Sequence, residues 1–446
     1  MTYVNSIKQA ITQHIAAKIG SHRALLIGFS GGVDSTVLLH VLVELKKQQL
    51  PDLALHAIYI HHGISKNADY WAEHCAQICR EWQIPFAVKK VSLDLTKGNV
   101  EQQARQARYQ AILSYRQAEQ ALCTAQHLDD QCETFFLALK RGSGPTGLSA
   151  MSEETDVRGY THLRPLLAIS RQQIEQYAAE NQLRWIEDES NQDCHYDRNF
   201  LRLDVLPTLT ARWSHFNQMV ARSAELCQEQ QQLLEHLLAE RFAQLIDSQH
   251  SLAITPLLNY DSTENHAINI NAIERNAILR MWFKQHQITM PTRQQLERLW
   301  QEVALAKEDS NPKYMINGKQ LRRYQNRLYL LPDYADLTKT VLAWHNFDQH
   351  LCLPDQLGQL THKTAQNACR APLITEQVTV RFMAQGAFHI VGRNGSRQIK
   401  KLWQEFSIPP WQRNRIPLIY YSETLICAVG VFVTEQGKGN EVAFSY

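Results

Sequence analysis

The stretch Ser30-Gly31-Gly32-Val33-Asp34-Ser35 identifies the architecture of the first part of this 446-residue chain. An apolar run at 24–29 precedes it, and apolar residues at helical spacing follow it over 34–47. Two glycines between a strand and a helix allow a tight turn, so backbone amides and serine hydroxyls can approach an anion. Asp34 would repel a bare phosphate, and a magnesium ion between them removes that conflict. The alternative is a glycine turn in which Asp34 only caps the helix.

The alternation of strand and helix continues to residue 141. Further strands are predicted at 53–60, 86–93 and 121–125, and further helices at 67–83, 101–119 and 129–141. Four strand–helix units in succession predict an α/β fold with a parallel sheet covered by helices. Because such sheets bind ligands at the carboxyl ends of their strands, we expect the functional site at that edge.

The rest of the chain is predicted to form further domains. A glycine-rich connection at 142–150 is followed by a mainly helical stretch from 170 to about 240, and Asn317-Gly318 predicts a hairpin turn. The predicted organisation is a catalytic domain over 1–215, a mainly helical domain with a long connecting helix over 216–331, a linker over 332–370 and a small α+β domain over 371–446.

Composition limits the function classes only loosely. Hydrophobic residues make up 44% of the chain and the formal net charge is +2, which excludes a mostly disordered protein. The nine cysteines are odd in number and include no Cys-x-x-Cys pair, so a disulfide framework, a zinc site and a redox site are all disfavoured. No long apolar run suggests a secretory signal or a membrane span, and we therefore expect a cytoplasmic protein.

The charge is unevenly distributed along the chain. Residues 311–331 contain five basic residues and no acid, residues 390–415 contain six basic residues and one acid, and residues 151–200 contain ten acids and five arginines. Tyrosines and tryptophans lie among the basic residues, and this combination can bind phosphates and stack on bases, although most charge runs are only solvated surface. The candidate RNA-binding residues are Arg322, Arg323, Arg393, Arg397, Lys400 and Lys401.

Polar clusters follow the predicted strands. His61-His62-Gly63 follows the second strand, and Arg108 lies on a helix face with another arginine three residues before it, where the pair could grip phosphates. The segment 126–134 begins where the fourth strand ends. Its Asp130 and Glu133 share a helix face and would repel each other unless a magnesium ion or an ammonium group joined them. Plain structural histidines, a solvated helix face and an acidic capping turn are the alternatives.

These motifs resemble a known family. The loop lacks the Gly-Lys-Ser/Thr ending of common NTPases and resembles the signature of the PP-loop ATP pyrophosphatases, which cleave ATP between the α- and β-phosphates. Together with His61-His62-Gly63, Ala-Arg-x-x-Arg-Tyr and His-x-Asp-Asp-Gln-x-Glu-Thr, the loop closely resembles the tRNA(Ile)-lysidine synthases over about 1–215. The resemblance continues through the C-terminal units, including Ile390–Gly395.

The resemblance implies an AMP-forming ligase that joins L-lysine to the wobble cytidine of a CAU-anticodon isoleucine tRNA, with ATP and Mg²⁺ as cofactors and a homodimer as the assembly. It implies that residues 30–35 and His61 bind ATP and that Asp34 contacts the metal. Asp130 and Glu133 become the candidates for holding lysine. The other implied active-site residues are Arg108, His127, Arg198 and Arg202. A PP-loop tRNA thiolase and a non-catalytic nucleotide- or RNA-binding module are the rival functions, and the missing Cys-x-x-Cys pair weakens the first.

Overall fold

The computed structural model describes residues 7–63, 65–92, 100–157, 159–258, 270–307, 310–347, 349–364 and 368–446. The chain separates into two compact units, Met1–His236 and Leu237–Tyr446. Within the described ranges, no helix has the length and apolar character needed to cross a membrane.

The first unit alternates strands and helices as the apolar periodicity predicts. Its strands are β1 (Ala24–Gly28), β2 (Ala54–His61), β3 (Phe86–Lys90), β4 (Ala121–Cys123), β5 (Glu154–Val157) and β6 (Tyr160–Leu163). Its helices are α1 (Ile7–Ile19), α2 (Val33–Gln48), α3 (Ala68–Glu81), α4 (Val100–Tyr115), α5 (Leu128–Lys140), α6 (Pro145–Leu148), α7 (Arg171–Glu180), α8 (Asp197–Phe200), α9 (Leu206–Arg212) and α10 (Phe216–Leu245), the last of which extends into the second unit.

The strands form one sheet in the order β3-β2-β1-β4-β6-β5, in which β5 alone pairs antiparallel. Ile27 in β1 pairs with Ala57 on one side and with Cys123 on the other. The strand order therefore reverses between β1 and β4, which is where doubly wound sheets bind ligands. The predicted α/β class is confirmed. The strands β5 and β6 go beyond the predicted ones, because each has four residues and neither shows a clear apolar alternation.

The central strand is buried on both faces, as its uninterrupted apolar run requires. Leu25 and Ile27 point into a core that includes α1, α2 and α7, whereas Leu26 points to the opposite face and packs with Ile112 of α4. Full burial of one such side chain contributes about 1.5–3 kcal/mol relative to exposure. Helices on both faces thus hold the end of β1, and the loop that follows it, in a fixed position.

The second unit combines helices with short antiparallel strands. Its helices are α11 (Thr255–Leu258), α12 (Ile270–Gln285), α13 (Arg293–Leu299), α14 (Ile399–Glu405) and α15 (Pro410–Arg413). Its strands are β7 (Leu252–Ala253), β8 (Lys313–Ile316), β9 (Lys319–Tyr324), β10 (Arg327–Pro332), β11 (Val341–Ala343), β12 (Leu351–Cys352), β13 (Gln359–Lys363), β14 (Ala368–Cys369), β15 (Val378–Arg381), β16 (Ala387–Phe388), β17 (Arg397–Gln398), β18 (Leu418–Tyr421), β19 (Thr424–Ala428), β20 (Phe432–Val433), β21 (Lys438–Gly439) and β22 (Ala443–Ser445).

The second unit contains the predicted hairpin turn, and it forms strands where a linker is predicted. Asn317 and Gly318 form the two-residue turn between β8 and β9, with φ values of 48° and 75° that suit a type I′ hairpin. The segment 332–370 differs from the expected linker, because β11 pairs with β15, β13 with β22 and β14 with β21. These strands have two to five residues and obtain their partners from distant parts of the chain, so no local pattern reveals them.

Candidate active site

The loops that follow β1 and β4 lie side by side, because the two strands are hydrogen-bonded neighbours at the point where the strand order reverses. The first loop carries residues 29–32 into α2, and the second carries residues 124–127 into α5. The glycine loop and the His-x-Asp-Asp motif therefore converge on one crevice. About 95 residues separate them in the sequence.

The glycine loop is held in shape by packing and by hydrogen bonds. Gly31 has φ of 81°, and a Cβ atom there would lie 2.7 Å from Cδ1 of Ile186 and 2.8 Å from Sγ of Cys75. The Ile186 amide donates to the Gly31 carbonyl at 3.0 Å. Ser35 Oγ donates to the Gly32 carbonyl at 3.0 Å and lies 3.1 Å from Ser30 Oγ. The amides of the first turn of α2 have no partner within the helix and can bind an anion.

Asp34 lies in the first turn of α2. One of its carboxylate oxygens is paired with a cation, and the other has no hydrogen-bond partner among the described residues. Its Oδ2 accepts a hydrogen bond from Nη1 of Arg171 at 2.8 Å, and its Oδ1 lies 3.6 Å from Nε2 of His127. Oδ1 is buried and has no hydrogen-bond partner among the described residues. Burial raises the pKa of Asp34 above its ordinary value, and the positive charges of His127 and Arg171 offset only part of that rise.

His127 caps α5 and is surrounded by carboxylates. Its Nδ1 lies 3.5 Å from Asp129, and its Nε2 lies 3.5 Å from Asp130 as well as near Asp34. Burial by itself would lower the pKa of His127, but the charge of Asp130, the contact with Asp129 and the charge of Asp34 outweigh burial and raise it to about 9. The surrounding carboxylates thus favour the protonated form of His127, and its Nε2 can donate to an anion in the crevice.

Asp129 fixes the orientation of this histidine. One of its carboxylate oxygens accepts from the backbone amide of Arg171 at 2.8 Å, and the other accepts from Nδ2 of Asn217 at 2.9 Å. Burial raises the pKa of Asp129, but the hydrogen bonds from His127 and from the Arg171 amide outweigh it, so the net pKa is lowered. Asp129 is thus a fixed anion behind the imidazole ring.

Asp130 and Glu133 share a helix face as predicted, and an arginine joins them. Arg202 donates from Nε to Glu133 Oε1 at 2.7 Å and from Nη2 to Asp130 Oδ1 at 2.9 Å. Arg198 lies 3.5 Å from Glu133 and donates to Thr134 Oγ1 at 3.3 Å. The Glu133 side chain is fully enclosed at 0% exposure, whereas Asp130 retains 14%. Burial and the charge of Asp130 raise the pKa of Glu133 to about 7, against the opposing charge of Arg202.

Two predicted residues of the first unit remain, His61 on β2 and Arg108 on α4. His61 ends β2, is buried, and has its Nε2 3.2 Å from the exposed carboxylate of Asp69. Arg108 is exposed on α4. Burial and then the Arg108 charge lower the pKa of His62 to about 4.

The residues of the crevice fit a magnesium ion that arrives with a nucleotide. Among the described residues, no group of three histidine, cysteine, aspartate or glutamate side chains is arranged to hold a metal. Magnesium is commonly held by one or two carboxylates together with substrate phosphates and waters. The unpartnered Asp34 Oδ1, next to the glycine loop, provides one such carboxylate oxygen.

Arg322 was predicted to bind RNA, but its side chain is buried. It is 8% exposed and donates to Gln320 Oε1 at 2.9 Å and to Asn311 Oδ1 at 2.7 Å. Its guanidinium also lies 5.7 Å from the centre of the Trp411 ring. Because β9 lies between β8 and β10 and buries Gln320, Leu321 and Arg322 in succession, the basic run includes a position that is enclosed within the second unit. This guanidinium stabilises the second unit and is not available to a phosphate.

The other predicted RNA-binding residues differ in whether their side chains are already paired within the second unit. Arg323 donates to the backbone carbonyls of Ala304 and Gln325, at 2.8 and 3.1 Å, and is thereby committed within the unit. Arg393 is paired with Glu405. The exposed candidates are Arg397, which is 3.7 Å from Glu405, Lys400 and Lys401.

Three further residues of the crevice carry no distinguishing sequence signal: Arg171, Asp129 and Asn217. Ser170 and Gln173 form a capping box at the start of α7, a pattern that predicts a helix beginning at Arg171. No local pattern indicates that this helix begins beside Asp34. Asp129 belongs to the His-x-Asp-Asp motif, and only the contacts with Arg171 and Asn217 distinguish it from Asp130.

The fold and the crevice define a PP-loop protein, and a comparison with family models agrees. A model described as "PP-loop domain" matches residues 3–209. Models described as "TilS substrate binding domain" and "TilS substrate C-terminal domain" match residues 269–329 and 378–444. Among solved structures, a U34-tRNA thiolase, NcsA from Methanococcus maripaludis, matches with a TM-score of 0.44 and 18% identity over 50% of this chain and 79% of that chain.

Curated relatives extend over nearly the whole length. The tRNA(Ile)-lysidine synthase of Serratia proteamaculans is 53% identical over 431 residues, which is 97% of this chain and 96% of the relative. The enzyme of the same name from Proteus mirabilis is 53% identical, covering 96% and 95%, and that from Shigella flexneri is 49% identical, covering 93% of each. The chain belongs to the tRNA(Ile)-lysidine synthase family.

Proposed function

We propose that this protein uses ATP to ligate L-lysine to C2 of the wobble cytidine of a CAU-anticodon tRNA(Ile), releasing AMP and pyrophosphate. The product, lysidine, would change codon reading from AUG to AUA. The observation that carries the proposal is the convergence of an anion-binding glycine loop with the His127 and Asp130–Glu133 cluster at one crevice. Membership of the family supports the choice of tRNA, lysine and ATP.

In the first step the cytosine O2 attacks the α-phosphorus of ATP, and the bond to the β-phosphate oxygen breaks. Pyrophosphate leaves with the bonding electrons, while the loop amides and the Ser30 and Ser35 hydroxyls hold it. His127, protonated at Nε2, donates to a phosphate oxygen as negative charge develops. Arg171 balances the charge of Asp34. A magnesium ion held by Asp34 and the phosphates would neutralise part of the charge on the leaving group.

In the second step the ε-amine of lysine attacks C2 of the activated cytidine, the C2–O bond breaks and AMP leaves. We assign the lysine ammonium to Asp130, the member of the carboxylate pair that retains exposure. Arg202 would then give up its single bond to Asp130 and keep its two bonds to Glu133. The amine must lose a proton to become a nucleophile, and a carboxyl group with a pKa of about 7, as in Glu133, can accept one near neutral pH.

The tRNA body would be bound by the second unit. The exposed basic residues Arg397, Lys400 and Lys401 are the proposed phosphate contacts. Arg198, at the crevice, and Arg108 would contact the RNA or the nucleotide. A tRNA substrate implies a cytoplasmic place of action. The family resemblance also suggests a homodimer, which light scattering on the purified protein would test.

The direct test is a ligation assay. Purified protein is incubated with ATP, magnesium, radiolabelled lysine and a CAU-anticodon tRNA(Ile) transcript, and the RNA is digested to nucleosides. We expect lysine-dependent label in one modified cytidine, with one AMP and one pyrophosphate per label. A thiolated nucleoside that forms only with a sulfur donor, without incorporation of lysine, would establish a thiolase, and absence of any turnover would indicate a binding module.

Four of the six cysteines of the first unit are too buried for sulfur transfer, while Cys194 is exposed and Cys227 is partly exposed. Cys75, Cys79, Cys123 and Cys132 are buried in the first unit, and burial raises the pKa of the last three thiols to about 12. Thiols that remain protonated at neutral pH are poor nucleophiles for sulfur transfer.

A further inference from the structure

The second unit contains a cavity that plays no part in the chemistry above. It has a volume of about 360 Å³ and is formed by the turn at 249–251, the end of α12, the strands β9 and β10, and residues 407–412 around α15. Small-molecule sites commonly have volumes of about 300–1,000 Å³, so there is room for one nucleoside-sized group.

The walls of the cavity combine aromatic rings with free hydrogen-bonding groups. Trp411 lies between Tyr324 and Tyr329, with ring centroids 5.9 and 5.0 Å away. Among the described residues, none forms a hydrogen bond with the hydroxyls of these tyrosines or with the side chains of Gln249 and Gln412. Amides and hydroxyls both donate and accept, as the edges of nucleobases do, and aromatic rings stack on the base faces.

The charge of the lining suits the same kind of ligand. The described residues that line the cavity include no carboxylate, and the guanidinium of Arg322 lies behind the Trp411 ring at 5.7 Å. A neutral base attached to a phosphodiester therefore meets no repulsion there.

Backbone geometry also marks this cavity. His250, Gln325 and Ser407 line it, and each has a left-handed backbone conformation, with φ values of 58°, 51° and 54°. Non-glycine residues adopt this conformation uncommonly, and such residues cluster at ligand sites. Three separate turns therefore meet at this cavity.

We propose that this cavity binds one unstacked nucleobase. The inference rests on the proposed function, because the natural source of the base would be a nucleotide of the bound tRNA that is turned out of its stack. A free nucleotide has the same recognition chemistry and is the other source. The base would stack on a ring face of one of the tyrosines and hydrogen-bond to the Gln249 and Gln412 amides.

The test uses the double variant Tyr329→Phe/Gln412→Ala, which removes two hydrogen-bonding groups and keeps the ring packing. The matched control is Tyr334→Phe/Gln377→Ala, which makes the same changes outside the cavity lining. The dissociation constant of a full-length CAU-anticodon tRNA is measured by filter binding for wild type and both variants. Saturation-transfer NMR with CMP, UMP and GMP measures contact with free nucleotides, and thermal melting confirms that each variant is folded.

We expect tRNA binding to weaken about tenfold in the double variant, as the loss of two hydrogen bonds implies, and to change less than about twofold in the control. If only the mononucleotide signal falls, the cavity is a nucleobase site whose ligand is a free nucleotide. If the double variant matches the control in both measurements, the proposal is overturned and the cavity is a solvent-filled cleft. A wild-type protein that fails the lysine ligation assay would refute the proposed function, while the mononucleotide measurement would still test the cavity.

Discussion

Nε of Arg202 donates a hydrogen bond to Oε1 of Glu133 at 2.7 Å, so one of the two carboxylates predicted to hold the substrate ammonium already has a cation of its own. The same guanidinium reaches Asp130 through Nη2. Because an unpaired buried carboxylate is costly, this arginine allows two acids to remain adjacent on α5. It also means that the two acids are not equivalent, since Glu133 is enclosed and Asp130 is accessible.

The first prediction concerns Glu133. In Glu133→Gln the proton acceptor is lost and Arg202 keeps a weaker partner, so lysine transfer should fall by about 100-fold or more, while adenylylation falls less. Pyrophosphate release without lysine measures adenylylation, and lysine-dependent AMP release measures transfer. The exposed Glu119→Gln should leave both rates unchanged. An equal loss of both partial reactions would count against this division of roles.

The second prediction concerns Asp34. Asp34→Ala removes the carboxylate that pairs with Arg171 and would contact the metal, so formation of AMP should be abolished. Burial disfavours the charge of Asp34 in the folded state, and its removal should leave the melting temperature nearly unchanged. Asp52→Ala, at an exposed carboxylate, is the control. Undiminished AMP release from folded Asp34→Ala would refute the assigned role.

The third prediction separates steric from backbone effects in the glycine loop. Gly31→Ala combines a positive φ with contacts of 2.7 and 2.8 Å to Ile186 and Cys75, whereas Gly142→Ala has a positive φ and nothing within 4 Å. We expect Gly142→Ala to cost about 1 kcal/mol and to retain activity. Gly31→Ala should lose ATP-dependent turnover and cost a further 1–3 kcal/mol or so. Chemical denaturation and the AMP assay measure the two effects, and equal behaviour of the variants would disprove the steric explanation.

The fourth prediction is a pH dependence of stability. His162 is buried in β6, where its ring nitrogens contact Thr124 Oγ1 at 2.7 Å and Arg164 Nη2 at 3.0 Å. Burial and then the charges of Arg164 and Arg105 lower its pKa to about 3. In the unfolded chain the pKa of His162 is near 6.5, so its imidazole binds a proton at pH values at which it stays neutral in the folded chain. The free energy of unfolding should therefore fall as the pH falls, by about 2 kcal/mol between pH 7 and pH 5 from this group.

The measurement compares denaturation of wild type, His162→Gln and the exposed His195→Gln at pH 7 and pH 5. The pH dependence of His162→Gln should be smaller than that of wild type by about 2 kcal/mol, and that of His195→Gln should equal the wild-type value. If His162→Gln keeps the full dependence, other groups are responsible for it.

The fifth prediction distinguishes two kinds of basic residue in the second unit. Lys400→Ala/Lys401→Ala should weaken tRNA binding and reduce the slope of log K against log salt by about 2, if each lysine neutralises one phosphate. Arg322→Ala should instead destabilise the second unit by about 1–3 kcal/mol, because it removes two hydrogen bonds and the contact with Trp411. A salt slope that is unchanged in the lysine variant would exclude these contacts.

The sequence by itself determined the α/β class, the strand–helix alternation and the position of the glycine loop, because each depends on periodicity, turn chemistry and propensity within a few neighbouring residues. It also indicated that Asp130 and Glu133 need a cation, since helical spacing places both on one face. Only the tertiary structure decided that the cation is Arg202, which is 69 residues from Glu133, and that Arg171 meets Asp34 across 137 residues. It likewise decided that the basic run at 311–331 includes a buried Arg322 and that 332–370 forms strands. These outcomes depend on which distant surfaces pack together, and no pattern of adjacent residues contains that information.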